Sequence, residues 1–242
     1  MKSFKFKMIG MAMIAVLMTI NFVSCSKEHP DGDLSNEKKL VKVSNNGTIS
    51  NFAYDSKGRL TTISNVDFSG FHWNDLQFAW SDDSIMVCFI DYAHGDGDDS
   101  YSYTLTLKDG LVSKSSNGDT FAYNDSGRIT QWYSYGLDHI VRWDGDKVVN
   151  IVIGDTSYTY TYGGISCSKG YFAILPLYIA FHNISGRLFM AHPEIAGMQT
   201  KHLPTTINNW PITYEFDKDG YISEIKLHSG GDYVELFTLT WE

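Results

Sequence analysis

The chain has 242 residues, and its 28 Asp and Glu outnumber its 19 Lys and Arg, giving a net charge of −9 at pH 7. This acidity gives no electrostatic attraction for nucleic acid or anionic lipid headgroups, so we expect no nucleic-acid partner. A chain of this length buries roughly 70% of its extended surface and needs no disulfide to fold.

The first 24 residues predict a bacterial lipoprotein signal peptide. Three lysines stand within the first seven positions, Met8–Val23 is apolar and uncharged, and Ser24 precedes Cys25. This order is typical of a secretory signal, and a cysteine at the cleavage point indicates lipidation at Cys25. An uncleaved transmembrane anchor is the alternative, but the apolar run falls short of the ~20 residues that span a bilayer.

Residues 25–37 form a polar, acidic segment with Pro30 and Gly32, which favours a flexible tether. Its acidic tract resembles the export signal that sends lipoproteins of Bacteroidota to the outer face of the outer membrane. We therefore expect an outer-membrane lipoprotein at the cell surface, and a periplasm-facing lipoprotein is the alternative. The chain from Cys25 onwards carries 16 basic and 28 acidic side chains, a net charge of −12.

One pattern recurs in the remaining chain: two large residues at i and i+2, a polar turn that contains glycine, and a return segment. Phe52–Ile63, Phe121–Trp132 and Tyr214–Ile225 are the clear copies. Phe78–Ile85 is a degenerate copy, because Ser84 stands where the glycine belongs. Four turn glycines recur at a spacing of 17 or 18, which fits two short strands and two turns: Gly110, Gly127, Gly145 and Gly163.

The return segments predict a β-bulge. Their apolar residues stand two and five positions after the glycine, so in a flat strand they would point to opposite faces. A bulge after each turn would bring both to the core, and a sheet buried on both faces is the alternative. The apolar pairs concerned are Leu60 and Ile63, Ile129 and Trp132, and Ile222 and Ile225.

These observations predict a mostly β, antiparallel meander of hairpins that forms a strongly curved sheet or open half-barrel. We expect one domain over residues 38–242. Residues 171–204 lack clean alternation and include Pro176, so we expect a partly helical insertion over one end of the sheet.

The segment Phe52–Leu60 resembles a tyrosine-aspartate repeat of the Rhs type. Two further segments, 175–188 and 201–221, together with the lipoprotein signal, resemble a family of Bacteroidota lipoproteins catalogued as a domain of unknown function. The resemblance covers residues 38–242 and implies a porin-like, curved meander fold and an outer-membrane location. It brings no catalytic residue. The polar second face of the short strands favours a water-soluble half-barrel over a membrane pore.

We expect no enzyme, no cofactor and no metal. The acidic segment 91–99 does not match the helix-loop-helix calcium pattern and fits a solvated hairpin tip. The segment around Ser166 lacks the second glycine of a nucleophile elbow. Cys88 and Cys167 are either two unpaired core residues or a disulfide.

Aromatic residues are the remaining candidates for binding, since they make up 14% of the chain. Most occupy core positions of the pattern, but the run around Trp132, Tyr133 and Tyr135 holds more rings than one face needs. Exposed rings on a sheet suit sugars or a protein partner. These three residues are our candidate ligand site, and packing in the core alone is the alternative.

The sequence thus predicts a monomeric, non-catalytic cell-surface lipoprotein, a binding module for a glycan or a protein partner. The alternative is a structural or assembly subunit of an outer-membrane complex that binds no small molecule.

Overall fold

The computed structural model describes residues 38–45, 48–68, 71–90, 101–134, 136–167, 169–170, 172–173, 188–189, 191–229 and 234–242. The predicted signal peptide (1–24), Cys25 and the tether (25–37) lie outside the described residues. The same holds for the acidic segment 91–99 and for Tyr135.

The described chain is almost entirely β-structure. Its strands are β1 (Leu40–Asn45), β2 (Thr48–Tyr54), β3 (Leu60–Phe68), β4 (Phe71–Trp80), β5 (Ser84–Ile90), β6 (Tyr101–Lys108), β7 (Leu111–Ser115), β8 (Thr120–Tyr123), β9 (Ile129–Ser134), β10 (Leu137–Asp144), β11 (Lys147–Ile153), β12 (Thr156–Ser166), β13 (Phe172–Ala173), β14 (Gln199–Thr200), β15 (His202–Ile207), β16 (Trp210–Phe216), β17 (Ile222–His228) and β18 (Val234–Trp241). A short 3-10 helix spans Pro193–Ala196.

Sixteen of these strands form an antiparallel meander that closes into a barrel, while β13 and β14 form a separate two-stranded sheet. The predicted meander is therefore confirmed, but the sheet is a closed barrel and not an open half-barrel. The first and last strands close it, because β1 pairs with β18 along its length. Lys39 and Glu242 extend this pairing through two backbone hydrogen bonds of 2.6 and 2.9 Å. Closure removes the two unpaired edges that an open sheet would expose.

The predicted bulges are present. Leu60 pairs with Tyr54 while Thr62 pairs with Ala53, so Thr61 is the extra residue in β3. Leu60 and Ile63 consequently both point inward and are fully buried. Equivalent extra residues occur at six further places, namely Val41, Ser113, Thr130, Val149, Thr205 and Ser223. The degenerate copy has no bulge. Strands β4 and β5 pair in regular register, from Asp75 opposite Ile90 to Trp80 opposite Ile85.

The interior of the barrel is apolar. Fully buried leucine, isoleucine and valine side chains line its inner wall, and Phe237 and Trp132 add large rings. Beside Trp132, Trp143 and Met198 lies an apolar cavity of about 10 Å³, close to the smallest that can hold one water. The described inner wall is therefore packed like a protein core.

The insertion between β12 and β15 covers one end of the barrel, which we call the insertion end. Its described part contains the 3-10 helix and β14, and it buries Leu188, Phe189 and Met198. The ring of Phe189 meets Phe121 edge-on at 5.9 Å between centroids. The chain also enters the barrel at this end, at Lys39, and β18 ends there. The opposite end, where β1 leads to β2 and β9 leads to β10, is called the open end.

Candidate functional site

A girdle of aromatic side chains closes the insertion end. Seven rings each donate a hydrogen bond of 2.6–2.7 Å to a backbone carbonyl in the preceding strand. The donor and acceptor pairs are Tyr54 to Leu40, Trp80 to Leu60, Tyr123 to Val112, Trp143 to Ile129, Tyr162 to Val148, Tyr214 to Pro204 and Trp241 to Ile222.

Each acceptor of the girdle immediately precedes a bulged residue. A bulge interrupts the ladder of strand hydrogen bonds, and a buried carbonyl without a partner is costly, so the ring supplies the missing donor. Strand β5 has no bulge, and it also receives no ring, because Leu107 of the following strand β6 occupies the position of the donor. In β2, β4, β8, β10 and β12 the donor is the second large residue of the pattern, and it is tyrosine or tryptophan, whose tip is polar. In the Tyr214–Ile225 copy the second large residue is Phe216, and the first, Tyr214, donates instead.

Four of the seven bulged residues also donate a side-chain hydrogen bond. The hydroxyls of Thr61, Ser113, Thr130 and Thr205 donate to carbonyls of the paired strand at 3.0–3.3 Å. Burial at this end also raises the pKa of the girdle tyrosines, and that of Tyr162 reaches about 12. These phenols are therefore neutral structural donors at physiological pH.

The insertion is fixed to the girdle through two equivalent backbone positions. The Leu60 amide donates to Nε2 of His192 at 3.1 Å, and the Ile129 amide donates to the Gly197 carbonyl at 3.3 Å. Because Nε2 accepts, Nδ1 of His192 carries the proton that it shares with Glu194 at 2.6 Å. His192 is thus a satisfied histidine, and the insertion end is a structural closure.

The open end holds a cluster of buried polar side chains instead: Ser115, Asp119, Ser134 and His139. The Asp119 carboxylate bonds to the Ser115 and Ser134 side chains, and burial raises its pKa. Burial also lowers the pKa of His139, whose ring stacks on Trp132 at 4.3 Å between centroids.

These residue types can form a catalytic triad, but their geometry here does not. Nδ1 of His139 lies 3.2 Å from the Leu137 carbonyl, and the ring also bonds to the backbone of Trp132. The imidazole thus faces the backbone, whereas a general base must face a nucleophile's hydroxyl. Ser166 likewise lies within strand β12 and not at a strand-to-helix turn.

The outer wall of the barrel is polar. Charged side chains occupy outward positions in the middle of several strands, among them Lys42, Arg142, Glu215, Glu224 and Lys226. A barrel that spans a membrane has an apolar outer band and a polar interior. The described wall has the opposite arrangement.

The structure separates the predicted ligand residues. Trp132 faces the interior with 5% of its surface exposed, whereas Tyr133 faces outward with 42% exposed. Since neighbouring residues in a strand point to opposite faces, one ligand on either face cannot touch both rings. Tyr158, Tyr160 and Tyr162 stand two positions apart in β12, so their rings point to the same face of the sheet. That face is the interior, where Tyr160 is buried and the other two rings pack against the core.

Tyr133 stands on a patch of the outer wall, the Tyr133 platform. It consists of the outward side chains of four neighbouring strands, β9 to β12: Gln131, Tyr133, Asp138, Ile140, Arg142, Asn150, Val152 and Ser157. Tyr133 pairs directly with Asp138, and Ile140 pairs with both Gln131 and Val152. Directly paired side chains in a sheet lie about 5 Å apart, so these groups form one continuous surface.

Cross-strand hydrogen bonds hold the polar groups of the platform in place. Gln131 donates to Asp138 at 3.0 Å, and Arg142 donates to Asn150 at 3.3 Å. The Asn150 amide in turn donates to the Ser157 hydroxyl at 2.8 Å and to the Tyr158 carbonyl at 3.0 Å. An exposed aromatic ring is thus flanked by oriented amide, carboxylate and hydroxyl groups.

The sequence did not single out the partners of Tyr133 or the open-end cluster. Gln131, Asn150 and Ser157 are ordinary outward residues, and only the strand register brings them beside Tyr133. The same holds for Asp119 and His139, which lie 20 positions apart in the chain. Cys88 and Cys167 are both free thiols.

Metal ligands and membrane helices are not found in the described part of the chain. No group of three His, Cys, Asp or Glu residues there is arranged to hold a metal ion. None of its helices has the length and apolar character needed to cross a bilayer.

Comparison with solved structures places the fold among porin-like proteins of Bacteroides. The crystal structure of a porin-like protein from Bacteroides uniformis ATCC 8492 matches with a TM-score of 0.52 and 15% identity, over 85% of this chain and 95% of that one. A porin-like protein from Bacteroides vulgatus ATCC 8482 matches with a TM-score of 0.51 and 10% identity, over 85% and 99%. No family model and no curated protein matches the chain. The fold is therefore shared with porin-like proteins, while membership in the resembling lipoprotein family stays a prediction.

Proposed function

We propose that this chain is a non-catalytic lipoprotein of the outer membrane that presents its barrel wall to a glycan or protein partner at the cell surface. The observation that carries the proposal is the combination of a polar outer wall with a packed apolar interior. Such a barrel is suited to water on its outside, and its buried apolar inner wall differs from the polar lining of a membrane pore. A lipid on Cys25 would then supply the membrane attachment.

Two further observations support a binding role. The Tyr133 platform offers an exposed ring among fixed hydrogen-bonding groups, and the barrel beneath it is a closed sheet that supports these side chains. The His139 geometry also supports a non-catalytic reading, because its ring is committed to the backbone. The fold shared with porin-like proteins is consistent with an outer-membrane location.

The alternative role is an assembly subunit without a small ligand. Exposed apolar side chains at the lip of the open end favour it, since Tyr101, Leu137 and Trp210 are each 41–49% exposed. Exposed apolar groups at a free end can seat another protein. These three residues belong to separate strands spread around the barrel, so they do not form one patch.

Lipidation and surface location can be tested with one engineered chain. A cleavage site for a sequence-specific protease is inserted between Gly32 and Asp33, and cells are labelled with radioactive palmitate. We expect label on the wild type and none on Cys25→Ala. Protease added to intact cells should release the barrel into the medium. Release only after the outer membrane is permeabilised would place the protein on the periplasmic side, and an unlabelled wild type would refute the lipoprotein assignment.

A further inference from the structure

We infer that the Tyr133 platform binds the sugar rings of a neutral polysaccharide, an inference that rests on the proposed binding function and names its ligand class. The ring of Tyr133 is 42% exposed, and Ile140, diagonal to it on the next strand, is 39% exposed. A pyranose has one or two faces of C–H groups and a rim of hydroxyls. An exposed phenol ring fits the C–H face.

The polar groups around the ring fit the hydroxyl rim. The Asp138 carboxylate accepts one hydrogen bond from Gln131 and keeps further acceptor sites. Gln131 keeps its carbonyl and one amide hydrogen, and the Ser157 hydroxyl, which accepts from Asn150, is still free to donate. Vicinal sugar hydroxyls need donors and acceptors side by side, and the platform supplies both.

The fixed geometry of these groups strengthens this inference. Each polar side chain of the platform is bonded to a neighbour on an adjacent strand, so it loses little further rotational freedom on binding. Preorganisation of this kind lowers the entropic cost of binding. The affinity of a ligand that makes many weak polar contacts depends on this preorganisation.

The platform is less suited to a protein partner. A stable protein interface buries about 800 Å² on each side, and its centre is apolar and poor in charge. On the platform Asp138 stands directly beside Tyr133, and Arg142 lies one outward position beyond Ile140. The three apolar side chains of the platform, Tyr133, Ile140 and Val152, are thus bordered by charges. This leaves no apolar centre large enough for such an interface.

A neutral ligand fits the charge of the platform better than an anionic one. Arg142 is its single cation, and that side chain is already bonded to Asn150. Asp138 repels carboxylates and sulfates near the ring. The chain as a whole is acidic, which adds to this repulsion.

Affinity electrophoresis tests the inference with the full chain in nonionic detergent. Native gels contain xylan, mixed-linkage β-glucan, mannan, dextran or, as the anionic comparison, polygalacturonate. We expect at least one neutral polysaccharide to retard the wild type, and polygalacturonate to have no effect. Tyr133→Ala should weaken that retardation at least tenfold, while Tyr133→Phe keeps it because the ring face is retained.

Met86→Ala is the matched control. Met86 also points outward, from β5, and is 48% exposed, but it lies away from the platform. Retardation should be unchanged in this variant. Absence of retardation in all neutral gels, or equal loss in Tyr133→Ala and Met86→Ala, would overturn the inference. A doubled native mass that Tyr133→Ala abolishes would assign the platform to a second copy of the chain and also overturn it.

The result is separable from that of the lipidation experiment. Failure of palmitate labelling or of surface release would refute the proposed location and leave sugar binding by the purified chain intact. Loss of sugar binding with normal labelling and release would refute only this inference.

Discussion

The two ends of the barrel are built by different rules. At the insertion end, the same pair of features, a bulge and a ring-to-carbonyl hydrogen bond, occurs seven times around the wall. The insertion is hydrogen-bonded to the wall at two of these places. At the open end, a buried polar cluster lies beneath turns, and the rings of the lip are exposed. The repeat unit therefore encodes one end of the barrel and leaves the loops of the other end free to vary. Loops on a rigid scaffold are where binding functions usually evolve.

Replacing a turn glycine by alanine should give the largest difference in lost stability between the two ends. Gly197 has a φ of 59°, and an added Cβ would overlap the Gly127 carbonyl. We expect Gly197→Ala to destabilise the protein by about 3 kcal/mol or more, from overlap plus backbone strain. Thermal unfolding measures the effect. Gly136→Ala at the open end is the control, because its φ is 77°, nothing lies within 4 Å of its Cβ, and strain alone costs about 1–2 kcal/mol. Equal losses would contradict the comparison.

Removing one girdle hydrogen bond should cost less. Tyr123→Phe keeps the ring and leaves the Val112 carbonyl without its donor. An unsatisfied buried carbonyl costs about 1–2 kcal/mol, or a fall in Tm of roughly 2–8 °C for a domain of this size. Tyr133→Phe removes an exposed hydroxyl from the outer wall and should leave Tm unchanged. A girdle variant as stable as this control would show that the rings serve packing alone.

The open end should respond to pH. The pKa of His139 in the folded protein lies below its value of about 6.5 in the unfolded chain, because the ring is buried. As pH falls below 6.5, the unfolded chain therefore binds a proton first, and stability declines. Asp119 contributes to the pH dependence with the opposite sign. Burial raises the pKa of its carboxyl group in the folded protein, so the folded protein gains stability as this group takes up a proton at lower pH.

His139→Gln isolates this contribution. Between pH 7 and 5 we expect the wild type to lose more stability than the variant, because only the wild type has a buried imidazole that resists protonation in the folded state. Urea unfolding at a series of pH values measures both. Parallel curves for the two proteins would place the acid sensitivity elsewhere in the molecule.

The bulge hydroxyls should give the smallest effect. Thr130→Val removes the hydrogen bond to the Ala122 carbonyl without changing the shape of the side chain. A net loss of about 0.5–1 kcal/mol is expected. Thr159→Val, an exposed outward change on β12, is the control, and denaturant midpoints compare the two. A loss above 2 kcal/mol would mean that the hydroxyl fixes the bulge itself.

The sequence was sufficient to predict the meander and its bulges, because both follow from local periodicity. The apolar residues two and five positions after each glycine required an extra residue, and Ser84 already marked the hairpin that lacks one. Closure of the barrel was not predictable, since it depends on the pairing of β1 with β18, almost 200 positions apart. Of the side chains that form the Tyr133 platform, only Tyr133 itself was predicted from the sequence. Its partners come from the register of four strands, which no local pattern specifies.

The central claim is that this barrel stands in water and depends on a lipid for its membrane attachment. It is tested most directly by cutting the tether after the protein has folded. The chain with a protease site between Gly32 and Asp33 is purified from membranes and partitioned in Triton X-114 before and after cleavage. The account predicts that the intact protein enters the detergent phase and that the released barrel moves to the aqueous phase. A barrel that stays in the detergent phase after cleavage would contradict it.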